Sequence, residues 1–112
     1  VVQAVKAAGQ TDFVLLLSHN PDIAMRQNSS KVDVLLSGHT HGGIMTFFGL
    51  WRPALYLISA YGHKFKGGWT SAPYNTTVFV SRGAGLHKIK HFPVLPRIFA
   101  PPQIVYITLK TE

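Results

Sequence analysis

The sequence has 112 residues, 46% of them hydrophobic, and eleven Lys and Arg residues against four Asp and Glu residues give a formal net charge of +7. This composition predicts a globular domain with a core and excludes a disordered tail, and the lack of cysteine excludes disulfides and thiolate metal ligands. No apolar run approaches the roughly 20 residues that cross a bilayer, so the sequence contains no membrane span.

The first ten residues, V-V-Q-A-V-K-A-A-G-Q, are typical of the last turns of a helix that ends at Gly9. The chain begins with Val rather than Met. We therefore expect it to be a piece of a longer protein, and no signal peptide can be read from it.

Two continuous hydrophobic runs come next, F-V-L-L-L at 13–17 and V-D-V-L-L at 32–36. Continuous runs are typical of parallel strands that are covered on both faces. About a dozen residues separate the runs, which is the minimum for a crossover between parallel strands. Within this crossover, Asn20 and Pro21 predict a short helical turn, Asn20 as its cap and Pro21 at the first helical position.

Histidines follow both runs: His19 after the first, and His39 and His41 in the segment S-G-H-T-H-G-G after the second. If the strands are parallel neighbours, His19 and His39 lie at the same carboxyl edge of the sheet, where open α/β sheets bind ligands. On an extended backbone an i, i+2 pair points both rings to one side, although at the end of a strand the second ring can diverge. Imidazole is a common ligand of zinc and iron, so the pattern predicts a metal site; hydrogen-bonded histidines in a tight turn are the alternative.

The remaining segments are aromatic and broken by glycine, and we predict four short antiparallel strands, I-M-T-F-F at 44–48, L-Y-L-I-S at 55–59, G-G-W-T-S at 67–71 and T-T-V-F-V-S at 76–81. The stretch 88–103 contains four prolines, too many for a helix or a central strand, and predicts a long ordered loop. A final strand, I-V-Y-I-T-L, is predicted at 104–109.

The charge distribution leaves several classes of function open. No Asp or Glu lies between Val34 and Thr111, while basic residues are scattered there without a block of five or six like charges. A basic solvated surface accounts for this pattern. A basic module that binds nucleic acid or anionic lipid, with structural histidines, is one alternative function. A stand-alone zinc protein with three histidine ligands is another.

The order of motifs resembles one known family. S-H-N-P-D at 18–22 followed by S-G-H-T-H-G-G at 37–43 resembles the calcineurin-like metallophosphoesterases, and within them the YkuE-like phosphohydrolase branch. G-H-K-F-K-G-G-W at 62–69, V-S-R-G-A-G at 80–85 and P-P-Q-I-V-Y-I-T-L at 101–109 follow in the family's order. The resemblance implies an α/β fold in which residues 1–112 are the carboxyl-terminal portion of a single four-layer α/β/β/α sandwich domain, without its amino-terminal half.

The resemblance also implies an activity, a phosphohydrolase that cleaves phosphoester or pyrophosphate bonds through a hydroxide activated by two metals. His19 and His39 would ligate the second and His41 the first of two divalent ions of the Mn, Fe or Zn class. The family's Asp-x-His, bridging Asp and Gly-Asn-His motifs have no counterpart, so no catalytic residue is expected here and the chain alone should be inactive. Arg82, in the segment S-R-G-A-G, would bind a substrate phosphate, although ionic pairing with the absent half is equally open.

Further expectations concern the substrate and single residues. From the family we expect a phosphorylated small-molecule or lipid-linked substrate, association with a membrane surface or the cell envelope, and no nucleic-acid partner. Ile44 stands where the branch usually has Gln, which puts in doubt any contact that this side chain makes near the metals or substrate.

The other residues of interest have simpler interpretations. The apolar segment Phe47, Phe48, Leu50 and Trp51 is interpreted as core packing, with contact to a lipid or another subunit as the alternative. Asp22 is interpreted as part of a helix start and Asp33 as a strand-face or edge residue. Three histidines are assigned to surface or loops, and three basic residues either line the substrate approach or solubilise a loop: His63, His87 and His91, and Lys88, Lys90 and Arg97.

Overall fold

A computed structural model describes residues 2–7, 9–26, 32–43, 55–85, 87–89, 92–95, 97 and 99–110. Its helices and strands are α1 (Val2–Ala7), β1 (Leu15–Ser18), α2 (Ile23–Arg26), β2 (Val34–Ser37), α3 (Leu55–Ile58), β3 (Gly68–Ser71), β4 (Thr77–Val80), β5 (His87–Ile89) and β6 (Phe92–Leu95). Short 3₁₀ turns cover His41–Gly43, Gly62–Phe65 and Pro73–Asn75. None of the described helices is long and apolar enough to cross a bilayer.

Four strands form a mixed sheet in the order β1-β2-β4-β3. The predicted parallel pairing of the first two hydrophobic runs is confirmed, since β1 lies parallel to β2 with Ser18 opposite Ser37. The β4 strand is also parallel to β2, and Ser37 lies opposite Val80. Only β3 runs antiparallel, on the far edge. Three parallel strands therefore end at one level.

The starts of these strands are joined by Asp33, through its carboxylate on one side and its backbone carbonyl on the other. Asp33 lies just before β2, and its Oδ2 accepts a hydrogen bond of 2.7 Å from the backbone N–H of Val14, ahead of β1. On the other side, the N–H of Thr77 donates to the carbonyl of Asp33 over 2.8 Å. This edge position agrees with the interpretation of Asp33 from the sequence.

The core lies on one face of the sheet. Leu35, Val78 and Val80 point into it and pack with Ala24 of α2 and with Phe65, each of them 0 or 1% exposed. Full burial of such a side chain contributes about 1.5–3 kcal/mol relative to an exposed one, so this cluster fixes α2 on the sheet.

The expectation that both faces of the first strand are covered is wrong within the described residues. Leu17 is 72% exposed, whereas Leu16 on the opposite face packs against the core cluster. The reason is that β1 is an edge strand and the short α2 crossover covers only one of its faces.

The predicted helix end at Gly9 and the helical turn after Asn20 are confirmed, although α2 begins at Ile23 and not at Pro21. The α1 helix is followed by Gly9, which has a φ of +76°, and its N–H donates to the carbonyl of Lys6. At α2, Oδ1 of Asn20 accepts a hydrogen bond of 2.9 Å from the N–H of Asp22, as expected of a cap.

Two of the predicted antiparallel strands are strands, one is a helix, and 44–48 lies outside the described residues. The segment 67–71 contains β3 and 76–81 contains β4, although β4 has one parallel neighbour. The segment 55–59 instead contains α3. The prediction was wrong because a short apolar run does not distinguish a buried strand from a helix.

The proline-rich stretch differs from the predicted loop. The strands β5 and β6 pair antiparallel within it, and Pro93 lies in β6. A two-stranded sheet has only edge strands, in which proline is tolerated because a missing N–H need not break a ladder.

The final predicted strand at 104–109 is not regular. Exposure alternates along this segment, and Ile104 and Tyr106 are 92% and 93% exposed. No described strand pairs with the segment, and a strand requires a neighbour for its backbone hydrogen bonds.

Candidate functional site

Three loops leave the sheet from the level at which the parallel strands end. His19 follows β1, Gly38 follows β2 and Ser81 follows β4. The N–H of Gly38 donates to the carbonyl of His19 over 3.2 Å, and the N–H of Ser81 donates to the carbonyl of Ser37 over 2.8 Å. The hydrogen bonds of the sheet thus continue for one residue past the strands and hold the starts of the loops together.

His19 and His39 are brought together at this edge. His39 Nδ1 lies 3.1 Å from His19 Nε2, and the ring centroids are 4.8 Å apart with the planes inclined by 63°. Zn–N distances of about 2.0–2.1 Å place two ligand nitrogens of one ion about 3.3–3.4 Å apart at a tetrahedral angle and about 2.8–3.0 Å apart at a right angle, and the observed distance lies between these values. The pair therefore fits a shared cation, and the same spacing also suits a hydrogen bond between a neutral donor ring and an acceptor ring.

The second histidine of the motif is directed elsewhere because the backbone is not extended. His39 has a φ of +68° and His41 a φ of +49°, both in the left-handed region that costs an L-residue about 1–2 kcal/mol. Thr40 between them is fully buried, and its N–H donates to the carbonyl of Gly38 over 2.8 Å. Backbone strain at two residues separated by only one other residue is typical of functional loops.

His41 lies beside the loop after β4. Arg97 donates from Nη2 to His41 Nδ1 over 2.8 Å and also to the carbonyl of Gly85. A β-carbon built on Gly85 would lie 4.0 Å from His41 Cε1, so the loop is in contact with the ring. Sequence reasoning left the role of Arg97 open, and no local signal links residues 41 and 97.

No group of three or more His, Asp or Glu side chains within the described ranges is arranged to hold one ion. The three predicted ligands thus divide into a pair, His19 and His39, and a separate residue, His41. The single-ion site with three histidines is not formed by the described residues, and the assignment of each histidine to a metal stays a prediction.

Arg82 lies between two glycine-containing motifs. A β-carbon on Gly42 would come within 2.8 Å of Arg82 Cδ, and one on Gly67 within 3.3 Å of Arg82 Cγ. Gln103 Oε1 accepts from the backbone N–H of Arg82 over 3.2 Å and from its Nε over 3.5 Å. The arginine stem is thus fixed directly next to the histidine loop.

Asp22 has a structural role beyond the predicted helix start. It is 6% exposed, and its two oxygens accept hydrogen bonds from Ser59 Oγ and from the backbone N–H of Ala60. This carboxylate therefore connects the α2 turn with the end of α3. Nothing in the sequence announces a partner 37 residues away.

The other candidate residues lie apart or outside the description. His63 is half-buried with its ring centroid 5.4 Å from that of Tyr56, which agrees with a histidine outside the ligand set. Several predictions fall on residues outside the described ones, or on side chains that are not described: Ile44, Phe47, Phe48, Leu50, Trp51, His87, Lys88, Lys90 and His91.

Curated relatives support the resemblance. An uncharacterized metallophosphoesterase of Campylobacter jejuni is 36% identical over 100 residues, which are 86% of this chain and 22% of the relative. The uncharacterized metallophosphoesterase YkuE of Bacillus subtilis is 34% identical over 101 residues, 88% of this chain and 32% of the relative. A relative in Aquifex aeolicus with the same description is 31% identical over 109 residues, 97% of this chain and 37% of its own length. This chain belongs to the metallophosphoesterases.

The match covers a limited part of each relative. The chain spans between about a fifth and just over a third of the length of these three metallophosphoesterases, and it matches their carboxyl-terminal part. No protein-family model matches the chain, and no solved structure matches it significantly.

Proposed function

We propose that the whole protein is a metal-dependent phosphohydrolase that cleaves phosphoester or pyrophosphate bonds. The observation that carries the proposal is the 3.1 Å approach of His39 Nδ1 and His19 Nε2 at the carboxyl edge of the parallel strands. Its chemical context is the family, because the relatives that match nearly the whole chain are named metallophosphoesterases. The proposal includes the four-layer α/β/β/α sandwich as the fold of the whole protein.

In this proposal the described residues hold the ions and the substrate. His19 and His39 bind one of two divalent ions of the Mn, Fe or Zn class, and His41 binds the other. Two such ions, when bound, lower the pKa of a water molecule and stabilise the charge that develops on the phosphoryl oxygens. This division of the ligands is supported by the different contacts of the two rings, since His39 lies against His19 whereas His41 lies against Arg97.

The substrate in this proposal is a phosphorylated small molecule or a lipid-linked phosphate, encountered at the surface of the cell envelope. The net charge of +7, without an acidic residue between positions 34 and 111, supports an anionic substrate. Arg82 contributes a guanidinium beside the histidine loop for binding phosphate. The alternative of a nucleic-acid or lipid-binding module with structural histidines is not favoured, because the relatives carry the names of phosphoesterases.

The test compares His39→Ala with His63→Ala by calorimetric titration with Mn²⁺ and Zn²⁺. His63 is the matched control, since it lies against Tyr56 rather than in the pair. We expect His39→Ala to weaken binding by more than tenfold, because even changes outside the ligand shell cost 10–100-fold. Hydrolysis of p-nitrophenyl phosphate by the whole protein with Mn²⁺ should fall in parallel. Equal metal affinities of the two variants would contradict the proposal.

A further inference from the structure

A basic cleft is formed beside Arg82. It has a volume of about 180 Å³ and is lined by Lys66, Gly67, Gly68, Arg82 and Gln103. Two of these five residues are cationic and none is acidic. No Asp or Glu lies between residues 34 and 111, the part of the sequence that supplies all five lining residues.

The side chain of Arg82 is held in place while part of its guanidinium remains available to a ligand. Its stem is confined between Gly42 and Gly67, and its Nε faces Gln103 Oε1 at 3.5 Å. Within the described part of the chain, its two terminal amino groups make no hydrogen bond. A preorganised guanidinium with free donors is the group that binds phosphate in a bidentate manner, at a low cost in side-chain entropy.

Two glycines of the G-H-K-F-K-G-G-W segment, Gly67 and Gly68, line the cleft without a side chain. Gly67 and Gly68 have φ values of +127° and +83°, which L-residues with a side chain rarely adopt. A β-carbon at Gly67 would press on Arg82, while nothing lies within 4 Å of one at Gly68. The turn thus leaves space beside its backbone for a ligand.

The cleft shares a wall with the histidine loop. Arg82 Cδ lies against Gly42, which directly follows His41 in the chain. Arg82 therefore lines the cleft and also contacts the loop that carries His41. This shared residue is the structural connection between the cleft and the histidines.

We infer that the cleft formed by Lys66, Gly67, Gly68, Arg82 and Gln103 binds a second phosphate group of the substrate, one that is not attacked. The inference rests on the proposed function for the identity of the first site, and it assigns the substrate to the class of compounds with two phosphate groups. In this inference the G-H-K-F-K-G-G-W segment and the S-R-G-A-G segment together bind this second phosphate group.

Binding is tested with inorganic pyrophosphate and inorganic phosphate as probes, by calorimetry on metal-free protein in the presence of a chelator. The variants are Arg82→Gln and Lys66→Ala. Lys64→Ala is the matched control, because Lys64 belongs to the same turn and carries the same charge but does not line the cleft. Loss of a charged hydrogen-bonding partner should weaken pyrophosphate binding about tenfold in each cleft variant, and Lys64→Ala should change it less than twofold.

The controls separate this inference from the proposed function. Pyrophosphate binding that persists in His39→Ala but is lost in Lys66→Ala supports the cleft whatever the outcome of the metal titrations. Equal weakening by Lys64→Ala and Lys66→Ala would show a diffuse surface charge and overturn the inference, as would loss of binding in His39→Ala alone.

A kinetic experiment with the whole protein and Mn²⁺ distinguishes a substrate phosphate from free phosphate. We expect Lys66→Ala to raise the KM for ADP about tenfold while the KM for p-nitrophenyl phosphate, which has one phosphate, stays within twofold. Retention of the wild-type KM for both compounds would refute the role in substrate recognition.

Discussion

Replacing Gly42 by alanine tests whether the histidine loop holds Arg82 in place. The new β-carbon would come within 2.8 Å of Arg82 Cδ and 2.9 Å of Arg82 Cγ, distances that real β-carbons do not show. These atoms lie in the middle of the side chain, so the whole guanidinium has to move. The residue also has a φ of +69°, which is unfavourable for alanine.

The expected cost has two separable parts. A positive φ at alanine costs about 1 kcal/mol, and overpacking of a tight contact typically adds about 1–3 kcal/mol. Gly42→Ala should therefore lower the free energy of unfolding by about 2–4 kcal/mol. Gly83→Ala is the control, because Gly83 has a similar φ of +64° but nothing within 4 Å of its β-carbon position. It should cost only about 1 kcal/mol.

The assay is urea unfolding followed by circular dichroism, with Gly42→Ala measured in the wild-type and in an Arg82→Ala background. Removing Cγ and Cδ of Arg82 should reduce the cost of Gly42→Ala to about 1 kcal/mol, which is a coupling of at least about 1 kcal/mol between the two positions. Equal costs of Gly42→Ala and Gly83→Ala, or a cost that does not depend on Arg82, would refute this account of the contact.

Two further results are expected. In urea unfolding, Asp22→Ala should lower the free energy of unfolding by about 2–5 kcal/mol, because it leaves the hydroxyl of Ser59 and the backbone N–H of Ala60 without their acceptor. The control Asp12→Ala, at an exposed position, should change this free energy by less than about 0.5 kcal/mol, and similar values for the two variants would contradict a structural role for buried Asp22. Neutral His41 should carry its proton on Nε2, because the guanidinium of Arg97 can only donate and therefore needs a lone pair on His41 Nδ1. Long-range ¹H–¹⁵N NMR should show this tautomer, and an unchanged tautomer ratio in Arg97→Ala would disprove the contact.

Those parts of the fold that depend on local pattern were accessible from the sequence. The continuous runs at 13–17 and 32–36 indicated parallel strands because a segment of crossover length separates them and each ends in a similar Ser-containing turn. The cap at Asn20 and the helix end at Gly9 follow from backbone chemistry that acts within a few residues. The secondary structure of 55–59 could not be predicted, because its four-residue apolar run fits a strand and a helix equally well.

The candidate site was accessible in part for the same reason. The position of His19 next to His39 follows from the parallel strands that precede them, and the structure brings these two rings together. The left-handed backbone at His39 and His41 was not predicted, since most histidines have a negative φ and their identity alone does not indicate a positive one. The contact of Arg97 with His41 joins residues 56 positions apart, and no local pattern in the sequence indicates it.

The common level at which β1, β2 and β4 end has a consequence for how this family can vary. A one-residue insertion within any of the three strands would shift the following loop by about 3.3 Å along the sheet and reverse the side toward which its residues point. Insertions beyond Ser18, Ser37 or Val80 would lengthen a loop and leave the register intact. Changes of chain length should therefore accumulate after these strands and be absent within them, so that recognition can diversify while the scaffold keeps its alignment.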